Sequence, residues 1–225
     1  MGRVILVRHG QASLGSDDYD RLSARGVEQS VRLGEHWQRS GARFDVVMRG
    51  TLKRHRQTLD AITSRLDGLP PPQEHEGLNE YDGDALIRAL TRATGRGQLS
   101  PPQDMQQVKA HFRLLREALL GWMDGALVPE GMPGFVAFRD GVANALAQAH
   151  RAAATGDVLI VSSGGPISIA VAAVLEAPPS TAVAMNMRLA NSAMVELVST
   201  AKGFELEAFN HLPHLIDAPG LATRA

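Results

Sequence analysis

Two short runs of apolar, mostly β-branched residues constrain this chain more than anything else in it. They are Val4-Ile5-Leu6-Val7 near the start and Val158-Leu159-Ile160-Val161 late in the chain. Uninterrupted runs of this kind suit strands buried on both faces, as in a parallel sheet. Each breaks abruptly into polar, glycine-bearing chain: Arg8-His9-Gly10-Gln11 after the first, Ser162-Ser163-Gly164-Gly165-Pro166 after the second. Carrying an arginine and a histidine into a core costs free energy unless each finds a partner. The carboxyl end of a core strand resolves this, because such ends open into the crevices where α/β proteins bind ligands. Read this way, Arg8 clamps an anionic group and His9 attacks it, while Gly10 lets the backbone turn and pass close by. The plainer reading is a salt-bridged Arg-His pair at a strand end. The second turn has an anion-binding design of its own. Its two glycines let backbone N–H groups turn inward, Pro166 suits a helix's first position, and the positive end of that helix attracts phosphate or carboxylate. Alone, such a turn is equally readable as a tight connection. Adjacent in one sheet, the two turns would face the same crevice.

The chain between them follows βαβ grammar. A strand over 3–7 leads through a polar loop at 13–20 to a helix that ends near 38, with Ser23 as its N-cap and Val27, Val31, Leu33 and Trp37 along one side. A strand at 44–48 and a helix over 52–66, ended by Pro70-Pro71-Pro72, come next. Residues 78–133 carry no strand signal and read as a helical insertion, with helices over 85–93 and 108–123 around a Gly/Pro-rich link at 95–102. Helices over 134–153 and 167–175 flank the second apolar strand, and two final strands, 192–198 and 204–210, join at Lys202-Gly203. The expectation is a single α/β domain over 1–215 with a loose tail at 216–225.

Composition removes several functions. A chain of 225 residues can bury a substantial core, and its formal net charge of −1 gives no sign of a nucleic-acid or membrane surface. The absence of cysteine excludes disulfides, thiolate metal sites and a cysteine nucleophile together. No apolar run approaches the roughly 20 residues needed to cross a bilayer, and no basic-then-apolar leader opens the sequence. A cytoplasmic protein is expected. Nothing in the sequence bears on oligomeric state.

Two further stretches bear on chemistry. Lys53-Arg54-His55-Arg56 stands at the start of a helix, where the dipole already disfavours cations, so the cluster points to a nearby anion. Lys53 and Arg56 read as a solvated face and Arg54 as the inward residue. Leu78-Asn79-Glu80 follows a short strand-like segment at 73–75, and its acids read equally as a solvated loop. A phosphate monoester would find positive charge in Arg8, Arg54 and the Gly164-Gly165 backbone and a neutral nucleophile in His9.

Together these motifs resemble the histidine phosphatase superfamily, the phosphoglycerate-mutase-like group, over roughly residues 3–212: Arg8-His9-Gly10-Gln11, then Leu52-Lys53-Arg54 with Gln57-Thr58, then Leu78-Asn79-Glu80, then Val161-Ser162 with Gly164-Gly165-Pro166. The resemblance implies a three-layer α/β/α sandwich with a largely parallel sheet and helices on both faces. It implies that His9 becomes phosphorylated, that Arg8 and Arg54 bind the phosphoryl group, and that Glu80 donates the proton. Ser163, Gly164 and Gln11 complete the phosphate site, Gln11 either orienting its loop or touching a phosphate oxygen. No metal or other cofactor is needed; the partners are a small phosphorylated substrate and inorganic phosphate.

One position departs from the family pattern. Ser163 stands where a second histidine is usual. Serine keeps a hydrogen-bond donor but gives up a possible positive charge, and loss of one transition-state donor costs about 10²–10³ in rate. A slow phosphatase is therefore expected, with a pseudoenzyme that binds phosphorylated ligands or a partner as the alternative. His55, His211 and His214 read as surface or strand-end histidines. The insertion lacks the paired arginines that would favour a mutase.

Overall fold

Successive side chains of a strand point to opposite faces of its sheet, and in β1 (Arg3–Arg8) both sets are buried. Val4 and Leu6 pack with Val142, Ala145 and Ala149 of α5 (Phe135–Ala152) and with Ile167 and Val171 of α6 (Gly164–Val174). Ile5 and Val7 pack on the other face with Leu33 and Trp37 of α1 (Ala24–Ser40) and Leu59 and Ile62 of α2 (Lys53–Thr63). Burying each such side chain contributes about 1.5–3 kcal/mol, so the continuous apolar run commits the chain to covering both faces. The product is the expected three-layer α/β/α sandwich. This computed structural model describes residues 2–13, 20–96 and 104–224. Most of the polar loop at 13–20 and of the link at 95–102 therefore lies outside the described residues.

Among the described residues the sheet has six strands in the order β3–β2–β4–β1–β5–β6, where β2 is Val46–Arg49, β3 Gln73–Glu74, β4 Val158–Ser162, β5 Met194–Thr200 and β6 Gly203–His211. The first four run parallel, and β5 and β6 add an antiparallel edge. The two apolar runs are indeed neighbours, with Arg8 opposite Ser162. The chain leaves β1 toward the α1 face and leaves β4 toward the α6 face. Two adjacent parallel strands whose connections diverge leave a crevice at their carboxyl ends, and both polar turns open there.

The insertion contributes α3 (Gly83–Thr94) and α4 (Met105–Met123), which with α7 (Pro179–Asn186) enclose a third apolar cluster around Leu86, Leu119, Trp122 and Val183. No helix among the described residues is long and apolar enough to cross a membrane.

Several boundaries differ from expectation. Helix α2 stops at Thr63, with Ser64 as its C-cap, rather than at the expected 66. Helix α6 begins at Gly164, so Pro166 is its third residue; it is still within the first turn, where a missing N–H breaks no helical bond. The tail expectation is not met over the described residues: the carbonyl of Leu221 accepts from Gln29 Nε2 at 2.7 Å, and that of Thr223 from the Asn191 N–H at 2.8 Å.

Candidate active site

His9 lies one residue past β1, and its N–H donates to the Ser162 carbonyl at 2.9 Å, which fastens the two turns together. Its ring is buried, and Nδ1 lies 2.7 Å from the Gly10 carbonyl oxygen. A carbonyl can only accept, so Nδ1 carries the hydrogen and Nε2 keeps its lone pair. Burial first, then the guanidinium groups of Arg54 and Arg8 and the His55 ring, hold His9 well below the ordinary histidine range. The imidazole is uncharged at neutral pH. The turn is pinned by Thr58 Oγ1, which accepts from the Gly10 N–H at 3.1 Å.

Arg8 and Arg54 are both buried. Arg8 donates through Nη1 to the Leu189 carbonyl. Arg54 faces inward as expected while Arg56 is exposed, and its Nη1 donates to Asp20 Oδ1 at 2.8 Å. The same Asp20 carboxylate accepts from the Lys53 N–H at 2.8 Å, so it caps α2 and orients Arg54 at once. Asp20 is thus a protein carboxylate set beside the basic cluster. A further arginine, Arg49, ends β2 opposite Val161; it is buried and donates to Glu74 at 2.6 Å. Sequence reasoning missed it because the strand was ended one residue early.

Glu80 reaches the crevice from the segment after a 3-10 turn, Glu76–Leu78. That segment is held at three points. The Leu78 carbonyl accepts from Ser162 Oγ at 2.7 Å, Asn79 Oδ1 accepts from the Thr51 N–H at 2.8 Å, and the Glu80 carboxylate accepts from the Gly165 N–H at 3.1 and 3.2 Å. Burial raises the Glu80 pKa above the usual carboxylate range, against the opposing pull of Arg54, the Gly165 N–H and Arg8. Gly165 has no side chain for a reason: a Cβ there would lie 2.2 Å from Glu80 Oε1. The Gly165 N–H, expected to face phosphate, is thus already given to Glu80.

Gln11 takes the loop-orienting geometry. Its Oε1 accepts from Ser23 Oγ at 3.1 Å, and Ser23 Oγ in turn accepts from the Gly26 N–H at 3.1 Å as the N-cap of α1. Ser163 and Gly164 are buried at the start of α6. Of the three unassigned histidines, His211 ends β6 as expected. His214 is buried with Nε2 2.8 Å from Ser192 Oγ, and burial lowers its pKa to about 3. His55 has no exposure at all, which corrects the expectation of a surface residue. Its ring centre is 5.7 Å from that of His9. Only the inward turn of α2 reveals this, since His55 reaches Ser163, the residue after β4.

His9, Arg8, Arg54, Glu80 and Ser163 therefore meet at one mouth of the sheet. Solved structures share the architecture. A mutant phosphoserine phosphatase from Entamoeba histolytica in complex with phosphoserine is 19% identical, with a TM-score of 0.65 over 96% of this chain and 100% of that one. The alpha-ribazole phosphatase from Shigella flexneri is 23% identical, with a TM-score of 0.64 over 93% and 96%. A phosphoglycerate mutase from Bacillus anthracis is 15% identical, with a TM-score of 0.66 over 95% of each chain. Identities this low carry the fold alone. The sequence itself matches the family model of the histidine phosphatase superfamily (branch 1) over residues 4–212, a span that takes in both polar turns, and the chain belongs to that family.

Proposed function

We propose that this protein is a metal-independent phosphatase that hydrolyses a small phosphate monoester through a phosphohistidine on His9. The observation that carries the proposal is the bond from His9 Nδ1–H to the Gly10 carbonyl, which leaves Nε2 as the nucleophile. Nε2 attacks phosphorus as the ester P–O bond breaks, and Glu80, its pKa raised by burial, gives its proton to the leaving oxygen. The phosphorylated ring is cationic, and the Gly10 carbonyl stabilises the charge at Nδ1. Arg8 and Arg54 neutralise the phosphoryl oxygens, which is the work a divalent ion does in kinases. Glu80 then takes a proton from water as that water attacks phosphorus. The P–N bond breaks, inorganic phosphate leaves, and His9 returns to its starting state.

The relatives act on or bind phosphoserine, alpha-ribazole phosphate and phosphoglycerate, which supports a small phosphorylated substrate. A panel of phosphate monoesters assayed with EDTA present tests the proposal. The wild type hydrolyses at least one of them, and His9→Ala loses about 10⁴-fold or more. Equal rates from the two proteins, or hydrolysis that EDTA abolishes, contradict it. Failure of the wild type on the whole panel would instead favour a phosphate-binding pseudoenzyme.

A further inference from the structure

Ser163 occupies the N-cap position of α6 with extended backbone (φ −117°, ψ 171°), yet its side chain makes no capping bond. Serine at that position ordinarily accepts from an N–H of the first turn; here the Gly165 N–H is taken by Glu80 instead. The Ser163 oxygen is turned to His55, with Oγ 2.7 Å from Nε2 and both residues wholly buried. The other ring nitrogen of His55, Nδ1, has no hydrogen-bond partner. Space for this ring is reserved in the backbone. A Cβ on Gly50 would lie 2.2 Å from His55 Nδ1, so any other residue at 50 would collide with it.

Two arrangements of hydrogens fit a 2.7 Å contact. If Ser163 donates to Nε2, the hydrogen sits on Nδ1 as a buried N–H with nothing to accept it. If Nε2–H donates to Ser163, Nδ1 keeps only an unused lone pair, and the serine hydrogen is free to point into the crevice. A buried unmet donor is the costlier defect, so the second arrangement is the stable one. His55 is also held uncharged, its pKa lowered well below the ordinary range by burial, Arg54 and Arg49.

We infer that His55 is a positioning residue for the phosphoryl group: it fixes the Ser163 oxygen so that the serine hydroxyl donates to a phosphoryl oxygen carried by His9. The inference rests on the phosphatase reading and adds a residue to it, a neutral imidazole from α2 that acts through a hydroxyl on α6. The His9 and His55 ring centres are 5.7 Å apart, and the His9 N–H is bonded to the carbonyl of Ser162, the residue next to Ser163, so the hydroxyl belongs to the turn to which His9 is fastened. No proton changes hands.

A double-substitution cycle tests it, read in parallel by kcat and KM on p-nitrophenyl phosphate and by the Kd for inorganic phosphate from calorimetry. Ser163→Ala should cost about 10²-fold in kcat/KM. His55→Leu should cost roughly 10- to 100-fold, mostly in kcat. His55→Gln, whose amide N–H can reach the place of Nε2–H, should recover most of the loss. In the Ser163→Ala background His55→Leu should cost less than twofold more, and phosphate affinity should follow the same non-additive pattern. A His55→Leu loss that persists undiminished without the Ser163 hydroxyl would mean a structural role and overturn the inference, as would wild-type rates in His55→Leu. Either result leaves the His9 reading intact; a wild type that neither turns over nor binds phosphate would sink both.

Discussion

Open space and buried polar chemistry lie at different places among the described residues of this molecule. A cleft of about 860 Å³ runs beside α1 over the Ile5, Met194 and Glu196 face of the sheet, bordered by Arg3, His36 and Asp157. Its chief polar contact is the Arg3–Asp157 pair at 2.7 Å, with the Arg3 side chain 54% exposed. At the carboxyl ends of β1 and β4 the opposite holds: Arg8, His9, Arg54, His55 and Ser163 are all buried. Exposed charges cost little to place and contribute little. Buried ones are expensive, and a fold that collects them at one strand-end crevice maintains them against that cost. The polar investment, rather than the empty volume, marks the reactive site.

The comparison can be broken by substitutions at the crevice and at the cleft. The largest expected effect after loss of His9 itself is Glu80→Gln, with a fall of about 10²–10⁴ in kcat on alkyl phosphates. The wild-type kcat should decline as pH rises through the raised Glu80 pKa, because the acid form is then lost. That limb should vanish in the variant. A burst of p-nitrophenolate, a leaving group that needs no proton, should survive, as rapid mixing would show.

Gly165→Ala comes next. Its methyl group overlaps Glu80 Oε1 and must displace the carboxylate, and a displacement of about 1 Å predicts a loss approaching 10²-fold in kcat. A full-rate variant would show that Glu80 need not rest on that N–H.

Acid should unfold the protein through three buried, neutral histidines, two in the crevice (His9, His55) and one beyond the cleft (His214). Their folded pKa values lie below the unfolded value near 6.5. Below that pH the unfolded chain binds more protons, and stability falls as pH falls. Each such histidine contributes up to about 1.4 kcal/mol per pH unit, which urea unfolding at pH 7 and pH 5 would reveal; equal midpoints would contradict the burial of these rings. The smallest effect is expected at the cleft. Arg3→Ala should leave kcat/KM within twofold and cost less than about 1 kcal/mol, and a tenfold loss of activity there would erase the distinction between the cleft and the crevice.

Much of this was legible in the residues, and the rest fails for identifiable reasons. Strands β1 and β4 could be read because burial on both faces demands unbroken apolar runs, and their pairing followed from the polar turns that end them, as the Arg8–Ser162 register bears out. The β5–β6 hairpin was visible in its turn, where Gly203 takes a φ of 131°. The Ser23 cap was visible because capping is local. Arg49, Asp20 and His55 were not. Each acquires its role from a partner distant in sequence: Glu74, Arg54 and Ser163. Composition misled at the C-terminus, where an Ala-, Pro- and Gly-rich segment is held through its backbone carbonyls by Gln29 and Asn191, which side-chain character does not report.

The central claim is that an uncharged His9 attacks phosphorus through Nε2. Quenching the enzyme within milliseconds of mixing with a 32P-labelled monoester, followed by peptide mapping, addresses it directly. The account predicts an acid-labile, base-stable phosphate on Nε2 of His9, formed and lost at rates that match turnover. Label on another residue, or turnover with no labelled protein at any time, would contradict it.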